Sequence, residues 1–324
     1  MEIKMEFGFN IPNGGALANN DSIVAISQKG EDCGYSLLAI PDHIIIPRTI
    51  GDNYPYSSDG KLNFSTLAGG MCLEPIALMA AVAAQTKTAN ILTSVMVVPY
   101  REPMLTAKLI STIDHLSGGR TILGCGAGWM PEEFEAIGAP PFSERGKVTD
   151  EYIDIYRELW SAEAPEFNGN YRNFKDIYFS PKPVQKPHPP IWIGGESKAA
   201  MKRAAKRGDA WFPIGCNPRN PLDTLPRYQA AVGTVRSICD LEARDPNSLT
   251  LAYWSVWTGS AGDPIILDDG ERMMLTGSAD TIIDDIGTLK DLGVSKLLFN
   301  FLAESESETL ERIEAFATDI LAKV

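Results

Sequence analysis

Short apolar runs and helix-period segments alternate along the chain from end to end. The clearest stretch is 90–129. A β-branched run, Ile91 to Val98, has the length and composition of a strand and is stopped by Pro99 and the Arg101-Glu102-Pro103 turn. A helix-period segment follows, with Leu105, Leu109, Ile113 and Leu116 on one face and Gly118-Gly119 as its stop. Thr121 to Cys125 then runs into the loop Gly124-Cys125-Gly126-Ala127-Gly128. Strand, crossover helix and strand make a right-handed βαβ unit with both strand faces covered.

The same alternation predicts strands at Met5–Ile11, Ser36–Ile40, Pro190–Gly194, Ala210–Pro213, Leu249–Trp257 and Lys296–Phe301. Helices are expected from Asp21 (as N-cap) to about Asp32, Glu74-Pro75 to Gln85, Ser143 to Trp160, and Glu196-Ser197 to Arg207. Three more are expected near 223–240, at Asp280–Leu292 and at Ser307–Ala322. In the helix from Ser143 to Trp160, Tyr152, Ile155, Tyr156 and Leu159 should face the strands. Eight strands alternating with eight helices predict a single α/β domain over 1–324, a (β/α)8 TIM barrel. Helix-to-strand connections are short, whereas the strand-to-helix connections 41–73, 130–142, 214–222 and 258–279 are long. Long loops on one face mark the working, C-terminal face. Residues 44–70 are expected to form an active-site loop, and 163–189, with Asn168-Gly169-Asn170, an excursion containing a hairpin.

Charge narrows the partners. A formal net charge of −13 argues against nucleic acid or an anionic membrane surface. No uncharged apolar run reaches membrane-spanning length, and the N-terminal residues lack a signal-peptide pattern, so a cytoplasmic protein is expected. The five cysteines are widely spaced with no CxxC, which fits small buried thiols.

Several motifs carry candidate chemistry. Gly124, Gly126 and Gly128 are spaced GxGxG, not GxGxxG, and Pro131 follows before any helix, so a Rossmann fingerprint is a poor match. These glycines serve either as a plain turn or to let backbone approach a flat ligand. Gly194-Gly195-Glu196-Ser197 leads from a strand into a helix, offering amides and a hydroxyl to a phosphate, or simply an N-cap at Ser197. His43 follows Asp42 at a strand end and could act as acid, base or donor. His115 and His188 suit structural and loop roles. No HExxH, GxSxG or clustered ligand set is present, and no metal is expected.

Taken together, the pieces resemble the bacterial luciferase-like family of flavin- and deazaflavin-dependent oxidoreductases. The resemblance is carried by Thr93-Ser94-Val95, Leu116-Ser117-Gly118-Gly119-Arg120, Leu123 to Trp129, Glu133-Phe134, Asp150-Glu151, Pro190 to Gly195 and Gly208 to Trp211. It implies a flavin-type ring at the C-terminal mouth, resting on a third-strand bulge with a non-prolyl cis peptide at Ser94–Val95. Thr93, Ser94, Val95, Gly126, Gly128 and Trp129 would surround that ring, with Asp42 beside it. Gly194, Gly195, Glu196 and Ser197 would meet its phosphate, and His43 matches the strand-two histidine facing the ring in deazaflavin members. Some of those members carry an acid directly after the fourth-strand glycines. Trp129 stands there in this chain, which points to stacking or pocket shaping.

The resemblance implies hydride transfer between coenzyme F420 and a small organic substrate, with His43 as catalytic proton partner. Tyr54 and Tyr56 of the 44–70 loop would cover the substrate. The alternatives are a monooxygenase using reduced FMN from a separate reductase, and a non-catalytic flavin-binding relative. A homodimer is also implied.

Overall fold

The computed structural model describes residues 4–61, 69–255 and 261–324. Eight parallel strands close a barrel: β1 (Glu6–Asn10), β2 (Leu37–Ile40), β3 (Asn90–Thr93), β4 (Thr121–Gly126), β5 (Ile191–Gly194), β6 (Ala210–Phe212), β7 (Thr250–Trp254) and β8 (Val294–Phe299). Each pairs with its chain neighbour, β1 pairs with β8, and a short continuation of β3, Met96–Val97, rejoins β4 at Cys125 and Gly126. The expected (β/α)8 barrel is therefore the fold. The observed strands lie within a few residues of those expected, and the last residues of the predicted seventh strand fall outside the described residues.

The helices α1 (Asn20–Asp32), α2 (Pro75–Gln85), α3 (Pro103–Ser117), α4 (Pro131–Ala136), α5 (Arg145–Ser161), α6 (Lys198–Arg207), α7 (Leu225–Leu241), α8 (Ala279–Asp291) and α9 (Glu306–Asp319) follow the strands in turn. Local chemistry explains their starts. Glu74 and Glu102 accept from the Ala77 and Leu105 amides, each with proline in the first turn. The α1 cap is Asn19, whose side chain accepts from the Ser22 amide, and not Asp21. The excursion holds a two-stranded antiparallel hairpin pairing Phe167 with Phe174.

Two apolar layers hold the barrel. Its interior is filled by a separate cluster including Leu37, Leu92, Trp192, Phe212 and Leu298. The larger core lies between strands and helices, and there α5 buries Tyr152, Ile155, Tyr156 and Leu159 as its periodicity predicts. Helix α3 departs from expectation: Leu105, Leu109 and Leu116 are 59%, 39% and 76% exposed. Its inner face is made of Thr106, Ala107, Ile110, Ser111 and Ile113. Small residues let α3 lie close to its neighbours, so the leucines mark the outer face. Among the described residues no helix is long and apolar enough to cross a membrane.

Candidate active site

β2 ends in Pro41-Asp42-His43, which brings His43 to the C-terminal mouth. Its Nδ1 lies 2.7 Å from Oε2 of Glu133, on the short helix α4. Glu133 is fully buried, and its other donors surround it. The Tyr100 hydroxyl donates to Oε2 at 3.0 Å, and the Ile44 and Ile45 amides donate to Oε1 at 2.7 and 3.2 Å. Burial raises the Glu133 carboxyl, but the hydrogen bond and charge of His43 with the two amides outweigh it, holding the group below the ordinary glutamate range. The carboxylate thus fixes Nδ1 as the proton-bearing nitrogen, leaving Nε2 for exchange with a bound molecule.

Asp42 points the other way. Arg101 donates to both of its oxygens, at 2.7 and 2.8 Å, and the Val97 amide donates at 2.7 Å. Burial pushes the Asp42 carboxyl up despite these contacts. Arg101 also donates to Glu74 at 3.0 Å, tying β2, α2 and the end of β3 together. Asp42 therefore braces the bulge, and its carboxylate has no oxygen left uncommitted.

The Ser94–Val95 peptide bond is cis, between β3 and its continuation, as expected. Thr93 donates to the Gly124 carbonyl at 2.8 Å, linking β3 to β4. The neighbouring glycines make room for the bulge. A Cβ on Gly126 would stand 2.6 Å from Val95 Cγ2, and one on Gly194 would stand 2.9 Å from Val95 Cγ1. Gly128 has a φ of +83° and packs against Val97 and Phe134, which leaves no room for a side chain.

Trp129 is the hub of an aromatic cover. Its ring makes edge contacts with His43 at 6.3 Å and with Tyr54 at 5.1 Å, and Tyr54 touches Tyr56 at 5.6 Å. The described part of the 44–70 loop is so folded over the mouth; 62–68 lie outside the described residues. Glu132 Oε1 accepts from the Gly51 amide at 2.9 Å, holding the loop to α4.

Below this cover, on the inner face at the ends of β1, β3 and β7, three buried polar atoms have no hydrogen-bond partner among the described residues: Asn10 Oδ1, Ser94 Oγ and Trp254 Nε1. Orphans of this kind are rare in native interiors and mark places completed by a water or a ligand.

At the β5–α6 turn, Gly195 has a φ of +110° and Ser197 caps α6, its hydroxyl accepting from the Ala200 amide at 3.2 Å. The amides of Lys198 and Ala199 belong to the open first turn of α6, where backbone N–H groups have no partner within the helix. Glu196 turns inward: its oxygens accept from the Ile214 amide at 2.9 Å and Asn217 Nδ2 at 2.8 Å, and burial raises its carboxyl. Only its backbone is left for a phosphate. Arg145 lies over the Phe142 ring and donates to the Gly128 carbonyl at 3.2 Å, with no carboxylate partner among the described residues.

Glu133, Tyr100, Arg101, Asn10 and Trp254 are the functional candidates that sequence reasoning missed. Glu133 and His43 are 90 residues apart, and only the barrel's closure joins them. His115 and His188 lie away from the mouth, the latter bonded to the Pro189 carbonyl at 2.9 Å.

A closed barrel with a bulged third strand and a half-buried histidine paired with a buried carboxylate at its C-terminal mouth defines an enzyme-type (β/α)8 protein. Residues 5–252 match the model of the luciferase-like monooxygenase family, and the chain belongs to that family. It is 30% identical over 309 residues to an uncharacterized protein of Mycobacterium tuberculosis, covering 93% of this chain and 95% of the relative. It is 28% identical to the FMNH2-dependent dimethylsulfone monooxygenase of Pseudomonas putida, covering 78% of each. The coenzyme F420-dependent tetrahydromethanopterin reductase of Methanopyrus kandleri shares the fold, with a TM-score of 0.72 over 100% of this chain and 99% of the other at 15% identity. The family's named members are oxidoreductases and monooxygenases, and a flavin-type cofactor suits this chain at that level.

Proposed function

We propose that the chain moves a hydride between coenzyme F420 and a small organic substrate, with His43 as the proton partner. The observation that carries this is the His43–Glu133 pair, 2.7 Å apart and placed beside the bulge. Hydride transfer at a carbon bearing oxygen needs one proton taken or given nearby, and His43 Nε2, without a partner among the described residues, would do that. F420, when bound, supplies the ring carbon that gives or accepts the hydride. The polar atoms of the floor that have no partner among the described residues fit a flat heterocycle bringing its own donors and acceptors. Ser94, Val95, Gly126, Gly128 and Trp129 would hold it. Gly194, Gly195, the Glu196 backbone and Ser197, with the first amides of α6, would take the phosphate. Thr93 and Asp42 act through the bulge that they brace, and the Tyr54–Tyr56 cover excludes water.

Titration of the purified protein with F420 and with FMN separately tests the cofactor. Tight FMN binding with no response to F420 would overturn it in favour of a two-component monooxygenase fed by a separate reductase, the reading that the Pseudomonas putida relative favours. His43→Ala should lower turnover about 10²- to 10⁴-fold with F420 affinity unchanged. Intact turnover in that variant would remove His43 from the chemistry. The exposed leucines of α3 favour a homodimer formed with a second copy, checked by light scattering of wild type against Leu105→Glu.

A further inference from the structure

One oxygen of Glu133 serves two side chains at once. Oε2 lies 2.7 Å from His43 Nδ1 and accepts from the Tyr100 hydroxyl at 3.0 Å, while Oε1 is taken by the Ile44 and Ile45 amides. Tyr100 reaches it from another part of the barrel. It closes the short 3-10 turn Val98–Tyr100 that follows Met96–Val97, and its ring meets Phe134, the next residue of α4, edge-on at 4.9 Å and 72°. The carboxylate and the phenol are buried, and the imidazole is half-buried.

This chain of contacts has a direction. Burial, then the charge of Glu133 and the hydrogen bond to it, push the Tyr100 phenol up, so the hydroxyl keeps its proton and acts as the donor. A donor on a carboxylate oxygen favours the charged carboxylate and weakens its hold on a second proton placed on that oxygen. The hydroxyl therefore competes with Nδ1–H for the same negative charge.

Among the described residues, the other groups around the pair are committed elsewhere. Asp42 and Arg101 are matched to each other, with Glu74 as the second partner of the guanidinium. Glu132 accepts from the Gly51 amide. Cys72 points its thiol at the His43 carbonyl at 3.6 Å and stays neutral, since burial pushes it up to about 11. Trp129 meets the imidazole through an edge contact and brings no charge.

We propose that Tyr100 is a positioning residue for His43: acting through Glu133 Oε2, its hydroxyl limits how tightly the imidazole proton is held and so sets the readiness of Nε2 to give or take one. The use made of that proton rests on the hydride-transfer reading; the coupling itself does not. Without the hydroxyl, the carboxylate would favour the imidazolium over the neutral ring, and an exchange partner needs both forms.

The ligand-free protein carrying 15N-histidine tests this. The ring nitrogens of His43, identified as the signals lost in His43→Ala, are followed from pH ~5 to ~9 in wild type and in Tyr100→Phe, which removes the hydroxyl and keeps the ring against Phe134. The variant should bind the His43 proton at least about threefold more tightly, a midpoint displaced upward by about 0.5 pH unit. His115 and His188, on other elements, should keep their midpoints. A His43 midpoint unchanged or displaced downward, or the same displacement in all three histidines, would overturn the proposal. Wild-type protein carrying 13Cζ-tyrosine gives a reading that needs no variant to fold. There the Tyr100 resonance should move at the pH at which His43 titrates, and a resonance that stays still would equally count against the coupling. If His43→Ala keeps its turnover, the hydride-transfer reading falls while a displaced midpoint still stands.

Discussion

Glu133, on the wall of the barrel mouth, has both carboxylate oxygens engaged by His43, Tyr100 and the Ile44 and Ile45 amides. Asn10 Oδ1, Ser94 Oγ and Trp254 Nε1, on its floor, are enclosed too and have no partner among the described residues. The two regions lie on one face of one barrel and handle buried polarity in opposite ways. A fully satisfied group is stable without help and sets the geometry of its neighbours, here the tautomer and aim of His43. An unsatisfied one costs stability until something arrives to complete it. The wall thus reads as machinery that the protein has finished, and the floor as the part of the mouth with hydrogen-bonding capacity left over.

Breaking the wall should have the larger consequence. Glu133→Ala leaves the Tyr100 hydroxyl and two amides without an acceptor, and should lower unfolding free energy by about 3–5 kcal/mol in urea titrations at pH ~7. The pH dependence has a definite sign. Glu133 sits below its ordinary value in the folded state, so its contribution is present above about pH 4.3 and fades as pH falls through the folded-state value. The gap between wild type and variant should therefore narrow on going from pH ~7 to pH ~3.5. A gap independent of pH would mean that packing, not the carboxylate, accounts for the loss.

The bulge between wall and floor gives an intermediate effect. Gly126→Ala places a Cβ 2.6 Å from Val95 Cγ2 and should destabilise by about 1–3 kcal/mol. Adding Val95→Ala should recover most of that, measured by the same unfolding curves. No recovery would show that the glycine serves something other than room for Val95.

The floor should give the smallest change. Ser94→Ala removes a hydroxyl that has no partner, so the ligand-free protein should keep its stability or gain up to about 1 kcal/mol. Its F420 affinity should fall over the same comparison. A loss of stability without ligand would place Ser94 with the wall.

Much of this was legible beforehand because it is local. Alternating apolar runs and helix-period segments locate the strands, and Pro75, Pro103 and Gly118 mark helix ends by backbone chemistry alone. The α3 leucines misled because periodicity reports that a face is apolar, not which way it turns. Thr106, Ala107, Ile110, Ser111 and Ile113 form the inner face, and which way it turns is set by the elements it packs on. Glu196 shows a related limit: position in a phosphate-like turn says nothing of side-chain direction, and this carboxylate turns toward Ile214 and Asn217.

The order of residues by itself determined the barrel, the working face and the candidacy of His43 at a strand end, since each depends on near neighbours in the chain, whereas the bulge at Ser94–Val95 was implied by the family resemblance. Only the closed structure decided that His43 meets Glu133, that Asp42 is consumed by Arg101, and that Asn10, Ser94 and Trp254 share an unfinished floor. These are pairings across different strands, made when a sheet curls until its first strand meets its last. No local propensity encodes which side chains that closure brings within hydrogen-bond reach.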